Sequence, residues 1–239
     1  MTLIAGIVLP NGILMMSDTL VMENGDNIYT EYGLKINRVT PTTLIGTSGT
    51  GYLFYYTLGL KQALYDNAVH MTQSDIRAII FSKYKMMHED FLKKDDLRIF
   101  GHYLIAEYDQ TSGTYTLISN SSENPRSFYE KRECSKFKNV EVIGAIWPLA
   151  NYVKSHIIEK LETYAPNVIE DPLFHKDFSR ECNKIFKAYS NEYPQYNFND
   201  KLYCVYLTKQ NNQPHVEDYL WDNGNYFEVD THLDKIYRK

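Results

Sequence analysis

The sequence predicts one α+β domain, a sandwich of two antiparallel sheets whose outer faces are covered by pairs of helices. Three observations predict it. Apolar residues recur with strand period in short runs and with helical period in longer ones, and the segments come in the order strands, two helices, strands, two helices, strands. Neither strict βαβ alternation nor an all-β pattern fits that order. No linker, low-complexity run or short repeat divides the 239 residues, a length that suits a single domain over 1–239.

Residues 2–9 read as an apolar strand, Pro10-Asn11-Gly12 as a tight turn and Ile13 to Ser17 as the returning strand. Glu23, Asn24, Gly25, Asp26, Asn27 and Gly33 make 19–33 a loop or ragged hairpin. Lys35 to Val39 alternates as a strand that Pro41 ends, and Thr43 to Thr47 forms the next, before Ser48-Gly49-Thr50-Gly51 breaks the pattern. A helix follows from Tyr52 to Ala68, with Leu53, Tyr56, Leu60 and Leu64 on one face. Thr72 and Asp75 have capping-box spacing and open a second helix, running to Lys93 with the stripe Ile76, Ile79, Ile80, Tyr84, Met87 and Phe91. Strands are expected at 98–108 and 114–119, joined by a Gln110-Thr111-Ser112-Gly113 turn, with shorter ones near 127–131 and 139–143. After the break at Gly144-Ala145-Ile146-Trp147-Pro148, a helix to Tyr164 buries Leu149, Tyr152, Val153, His156, Ile157 and Leu161. Another helix spans 173–191. Tyr203 to Leu207 is a strand, Gln210 to Gln213 a turn, and short strands finish the chain.

Composition excludes several function classes. The net charge of −5 offers no basic footprint for nucleic acid. Cys134, Cys182 and Cys204 are odd in number, far apart and without a CxxC pair, which fits a reducing compartment rather than a disulfide framework. No HExxH or His/Cys cluster has metal spacing, so neither metal nor cofactor is expected. The N-terminal stretch lacks a basic n-region and is interrupted by turn residues, so it does not read as a signal peptide, and no run reaches the ~18 apolar residues of a membrane span. A cytoplasmic location is expected.

Thr2 lies directly behind Met1. If Met1 is removed, one residue carries a hydroxyl nucleophile and a free α-amine, with an unperturbed pKa of about 8, that can serve as its base. Many ordinary chains also begin Met-Thr. Asp18 sits at the end of the second strand, where aspartate commonly forms turns, and Lys35 at the start of the third, where lysine is commonly exposed. Gly49, before the first helix, can relax a turn or present an N–H to an oxyanion. Taken together, Thr2, Ser17-Asp18-Thr19, Lys35-Ile36-Asn37-Arg38-Val39 and Ser48-Gly49-Thr50-Gly51 have an order and spacing that resembles the proteasome β-subunit family of N-terminal nucleophile hydrolases. The chain looks like an outlying, bacterial-type member. Similarity covers residues 2–65 and is topological beyond. Two stretches depart from the family pattern. Gly144-Ala145-Ile146 stands where the family carries a supporting serine, and Tyr196 to Lys201 lacks its late Ser-Gly-Gly loop, with Asn197, Asn199 or Asp200 as candidate replacements.

The resemblance implies a four-layer αββα fold with its site at the open end of the sandwich. It implies Thr2 as nucleophile, its α-amine as base, Lys35 as a charged neighbour held by Asp18, and the Gly49 N–H as oxyanion donor. The substrate would be a peptide or unfolded protein and the assembly a homo-oligomeric ring, with room for an unfoldase partner of which the chain carries no sign. Two alternatives stand beside it: a catalytically impaired structural or binding ring subunit, and a hydrolase of small amides.

Overall fold

The computed structural model describes residues 2–23, 27–93, 100–120, 131–144, 147–230 and 235–238. The first half contains β1 (Ile4–Leu9), β2 (Gly12–Asp18), β3 (Val21–Glu23), β4 (Asn27–Thr30), β5 (Ile36–Thr40) and β6 (Thr43–Gly49), followed by the helices α1 (Gly51–Leu64) and α2 (Gln73–Leu92). The second half contains β7 (Gly101–Asp109), β8 (Thr114–Asn120), β9 (Lys131–Cys134) and β10 (Val140–Ile143), then α3 (Trp147–Glu162), the one-turn α4 (Pro166–Ile169) and α5 (Phe174–Glu192). It ends with β11 (Leu202–Gln210), β12 (Gln213–Asp222), β13 (Asn225–Asp230) and β14 (Lys235–Arg238).

The expected α+β class holds. Among the described residues the strands form a seven-stranded sheet in the order β10-β1-β2-β11-β12-β13-β14, a five-stranded sheet β5-β6-β7-β8-β9, and the separate pair β3-β4. Every ladder is antiparallel.

β1 and β2 are apolar without a break because both of their faces are covered. Leu3, Ala5, Ile7, Leu14 and Met16 pack with Val153, Ile157, Phe178 and Phe186 of α3 and α5. The alternate residues Ile4, Val8, Ile13 and Met15 pack with Leu44, Leu104 and Leu117 of the five-stranded sheet. On the far side of that sheet, Ile45, Ile105 and Ile118 meet Leu53, Leu60, Leu64, Ile80 and Tyr84 of α1 and α2. Each such side chain contributes about 1.5–3 kcal/mol when fully buried.

Local chemistry sets the element ends. Thr72 and Asp75 form the expected capping box: Asp75 N–H donates to Thr72 Oγ1 and Thr72 N–H to Asp75 Oδ2, both at 3.2 Å. Asn211 and Asn212, at φ 53° and 60°, give β11–β12 the left-handed two-residue turn that matches strand twist. Several elements differ from expectation. The helix expected to reach Ala68 stops at Leu64, and a separate 3₁₀ turn covers Ala68–His70. The strand expected near 127–131 falls largely outside the described residues, and β9 starts at Lys131. Tyr152 and His156 do not join the buried stripe of α3. That stripe runs Leu149, Val153, Ile157, Leu161, so residues one position earlier turn about 100° aside. There Tyr152 meets Tyr189 edge-on, with ring centroids 5.0 Å apart.

Candidate functional site

One end of the sandwich gathers the residues singled out above. β1 and β2 pair so that Ile4 faces Ser17, and the Asp18 N–H donates to the Leu3 carbonyl at 3.2 Å. Asp18 is thereby level with the residue that follows Thr2. Its Oδ1 accepts the Leu3 N–H at 2.8 Å, and its Oδ2 accepts Lys35 Nζ at 2.7 Å and the Leu20 N–H at 3.3 Å. Asp18 is fully buried and Lys35 nearly so. An unpaired charge there would be costly, which is why a lysine at the start of a strand turns inward instead of into solvent. Burial pulls the Lys35 ammonium below the ordinary lysine value, with the Asp18 carboxylate pulling the other way.

The five-stranded sheet meets this end through β6. The Thr47 N–H donates to the Lys35 carbonyl at 3.3 Å, tying the start of β5 to the end of β6. Two residues on, Gly49 has φ +112°, and a Cβ there would lie 2.5 Å from Gly101 Cα. Backbone geometry therefore demands glycine at 49 whatever its N–H does. Gly144, at φ +97°, closes the other side. A Cβ on it would lie 2.2 Å from the Thr2 carbonyl oxygen and 3.0 Å from Ser48 Oγ. Ala145 and Ile146, which stand where the resembled family carries a serine, are outside the described residues.

No protein-family model and no curated protein sequence matches the chain.

Sequence reasoning named Asn197, Asn199 and Asp200 without choosing among them. The structure puts Asn199 against the Asp18 segment: its Oδ1 accepts the Thr19 N–H at 3.1 Å, and its Nδ2 donates to Thr19 Oγ1 at 3.0 Å and to the Glu31 carbonyl at 3.2 Å. Asp200 faces elsewhere, with Oδ2 3.4 Å from Lys187 Nζ. Lys201 and Glu31 form an ion pair over the same loop. The β11–β2 register, Leu202 opposite Asp18, decides this placement, and no short-range signal in the sequence encodes it.

Ser17 and Ser48 were missed as possible contributors; Thr47 lies on the other face of β6, toward α1 and α2, and is not one. All three are buried, and Ser17 Oγ, Thr47 Oγ1 and Ser48 Oγ have no hydrogen-bond partner among the described residues. Three orphan hydroxyls on neighbouring strand ends are notable because buried polar groups are nearly always satisfied. Two cavities among the described residues lie away from this end. One of about 440 Å³ is at the opposite strand ends, by Pro41, Gln110 and Pro214. A groove of about 470 Å³ lies on the outer face of α1 and α2, by Tyr52, Tyr55 and Met87. Among the described residues no group of three or more His, Cys, Asp or Glu is placed to hold a metal, and no helix is long and apolar enough to cross a membrane.

Proposed function

We propose that the chain is a threonine-type amide hydrolase with the N-terminal nucleophile fold, acting on peptides after removal of Met1. The observation that carries the reading is the buried Asp18–Lys35 pair, 2.7 Å apart, whose carboxylate also holds the Leu3 N–H and so fixes the chain directly behind Thr2. A structural end to a sandwich has no need of a desolvated ion pair at the first residues of the chain. The packing order of helices, sheet, sheet and helices supports the four-layer αββα form of that fold.

In this reading Thr2 Oγ attacks the amide carbonyl, and its proton passes to the Thr2 α-amine. The carbonyl π electrons move onto oxygen, and the Gly49 N–H stabilises the charge that develops there; a single such donor is typically worth ~10²–10³ in rate. Collapse of the tetrahedral species breaks the C–N bond, and the leaving amine takes the proton from the α-amine. Water then attacks the ester carbonyl and gives a proton to the α-amine; the C–O bond to Thr2 Oγ breaks, Oγ takes the proton back, and the carboxylic acid leaves. Lys35, with its lowered pKa, holds its proton less tightly than a surface lysine and provides positive potential beside the nucleophile. Asp18 anchors Lys35 and the Leu3 amide together. Assembly into a homo-oligomeric ring, unfolded-protein substrates and a cytoplasmic location belong to the same proposal.

The test is hydrolysis of a peptide amide library by chain from which Met1 has been removed with methionine aminopeptidase. Turnover is expected for the processed chain and is expected to be absent from Thr2→Ala and from chain that retains Met1. Equal turnover by Thr2→Ala would place the nucleophile elsewhere.

A further inference from the structure

We propose that the Ser48 hydroxyl is the hydrogen-bond acceptor that positions the α-amine of Thr2 once Met1 has been removed. The inference rests on the hydrolase reading and supplies the positioning hydroxyl that the sequence stretch around Ala145 lacks. Three observations lead to it.

The first is the orphan itself. Ser48 is 5 % exposed, and its Oγ has no hydrogen-bond partner among the described residues. A buried hydroxyl left this way is destabilising, and replacing it by an apolar group of similar shape would remove the penalty. The residue is therefore poorly explained by packing.

The second is register across the sandwich. Leu44, Gly46 and Ser48 share the face of β6 that looks toward the seven-stranded sheet, while Ile45 and Thr47 look toward α1 and α2. A Cβ on Gly46 would lie 3.0 Å from the Ile4 side chain. Ser48 is two residues beyond Gly46, and Thr2 is two residues before Ile4. Both positions lie at the same end of their strands.

The third is Gly144, where the two meet. The Thr2 carbonyl oxygen and Ser48 Oγ flank one point on this glycine, 2.2 Å and 3.0 Å from where a Cβ would be. A side chain at 144 would clash with both, so the close approach of Thr2 and Ser48 to one another requires glycine here. At φ +97° the position is also one that L side chains avoid.

Removal of Met1 converts the Thr2 amide, with its single N–H, into an amine with additional donors. One N–H can then be taken by Ser48 Oγ, which leaves the amine lone pair free for the proton of Thr2 Oγ. Ser48 is a positioning residue here: it acts through the amine and does not touch substrate. The charged and titratable groups at this end are Asp18 and Lys35, then His102, which stands opposite Ser48 on β7 and whose imidazole burial holds below its ordinary value, with the Glu31–Lys201 pair one asparagine further out. An acceptor favours the ammonium over the neutral amine, so loss of Ser48 Oγ lowers the amine pKa.

The experiment compares Met1-free wild type, Ser48→Ala, Ser48→Cys and Thr47→Val. Thr47→Val deletes the orphan hydroxyl on the opposite face of the same strand. Two quantities are read. One is the rate of covalent capture by a peptide vinyl sulfone as a function of pH. The other is the titration of the Thr2 α-amine, followed by competitive acetylation and mass spectrometry, which requires no turnover. For Ser48→Ala the expected result is capture about tenfold to a hundredfold slower at its pH plateau, with the amine pKa and the acidic limb both lower by about one unit and thermal stability no lower than wild type. Ser48→Cys is expected between the two, and Thr47→Val at wild-type values. Wild-type capture with unchanged Ser48→Ala rate and titration overturns the Ser48 assignment and leaves the hydrolase reading standing. Absence of capture in wild type removes the hydrolase reading, and the amine titration still decides Ser48: a lowered pKa in Ser48→Ala supports the contact, and an unmoved one overturns it. Should Ser48→Ala fail to fold, the same two readouts on Ser48→Cys decide.

Discussion

Asp18 and Lys35 are the residues on which structure and chemistry are hardest to separate. Both are buried, so deleting either partner leaves the other charged and without compensation. Lys35→Met alone is expected to destabilise the chain by about 3–5 kcal/mol, as measured by urea unfolding. The double variant Asp18→Asn with Lys35→Met removes both charges and is expected to recover most of that loss while remaining unreactive toward electrophiles. A double variant that reacts normally would assign the pair a packing role only. Asp18, Lys35 and Gly49 are each weak signals alone and could be singled out only together with Thr2, because their shared order and spacing resemble those of the proteasome β-subunit family. Asn199 and Ser48 could not be chosen the same way, since an asparagine in a loop or a serine at a strand end has many uses. Their placement depends on which strand lies opposite, here β2 against β11 and Gly46 against Ile4.

Elements were legible where local chemistry specifies them. The capping box of α2 is an example: Thr72→Ala removes the acceptor of the Asp75 N–H and is expected to cost about 1 kcal/mol of unfolding free energy, without effect at the far end of the sandwich. Asp75→Asn is expected to cost less, because it keeps a polar oxygen for Thr72. The Gln110–Gly113 and Gln210–Gln213 turns were equally clear, since their glycine or asparagines adopt left-handed backbone that other residues avoid. The pair β3–β4 was legible only as a loop or ragged hairpin, because the strands are short and their register shifts between Val21 and Met22. α4 escaped notice altogether, since a single turn opened by Pro166 has too few residues to show a period.

At the scale of the molecule, acid stability depends on contacts between the helix layers and the sheets. Glu217 on β12 lies 3.5 Å from His175 Nε2 and 2.9 Å from Lys176 Nζ at the start of α5, and these neighbours hold its carboxyl at about 2, against an ordinary value of 4.5. The lysine contact is the shorter and the firmer of the two. A carboxyl depressed in the folded state stabilises it fully above 4.5, and that contribution is lost as pH falls toward 2. Glu217→Gln is therefore expected to be less stable than wild type at neutral pH, with the two converging in acid; parallel stability curves would contradict the pairing. The same architecture sets the limits of the sequence reading. The α+β class follows from the order of periodic segments, but the facing of the two sheets, and hence the meeting of β1, β6 and Gly144, is a property of the assembled core. The proposed catalysis requires that Thr2, once exposed, be a nucleophile. Treating Met1-free chain with a peptide vinyl sulfone and mapping the adduct by mass spectrometry checks this without reference to any substrate. One equivalent of adduct on Thr2 Oγ, lost in Thr2→Ala, is expected. Adduct on another residue, or none on a folded and fully processed chain, would contradict it.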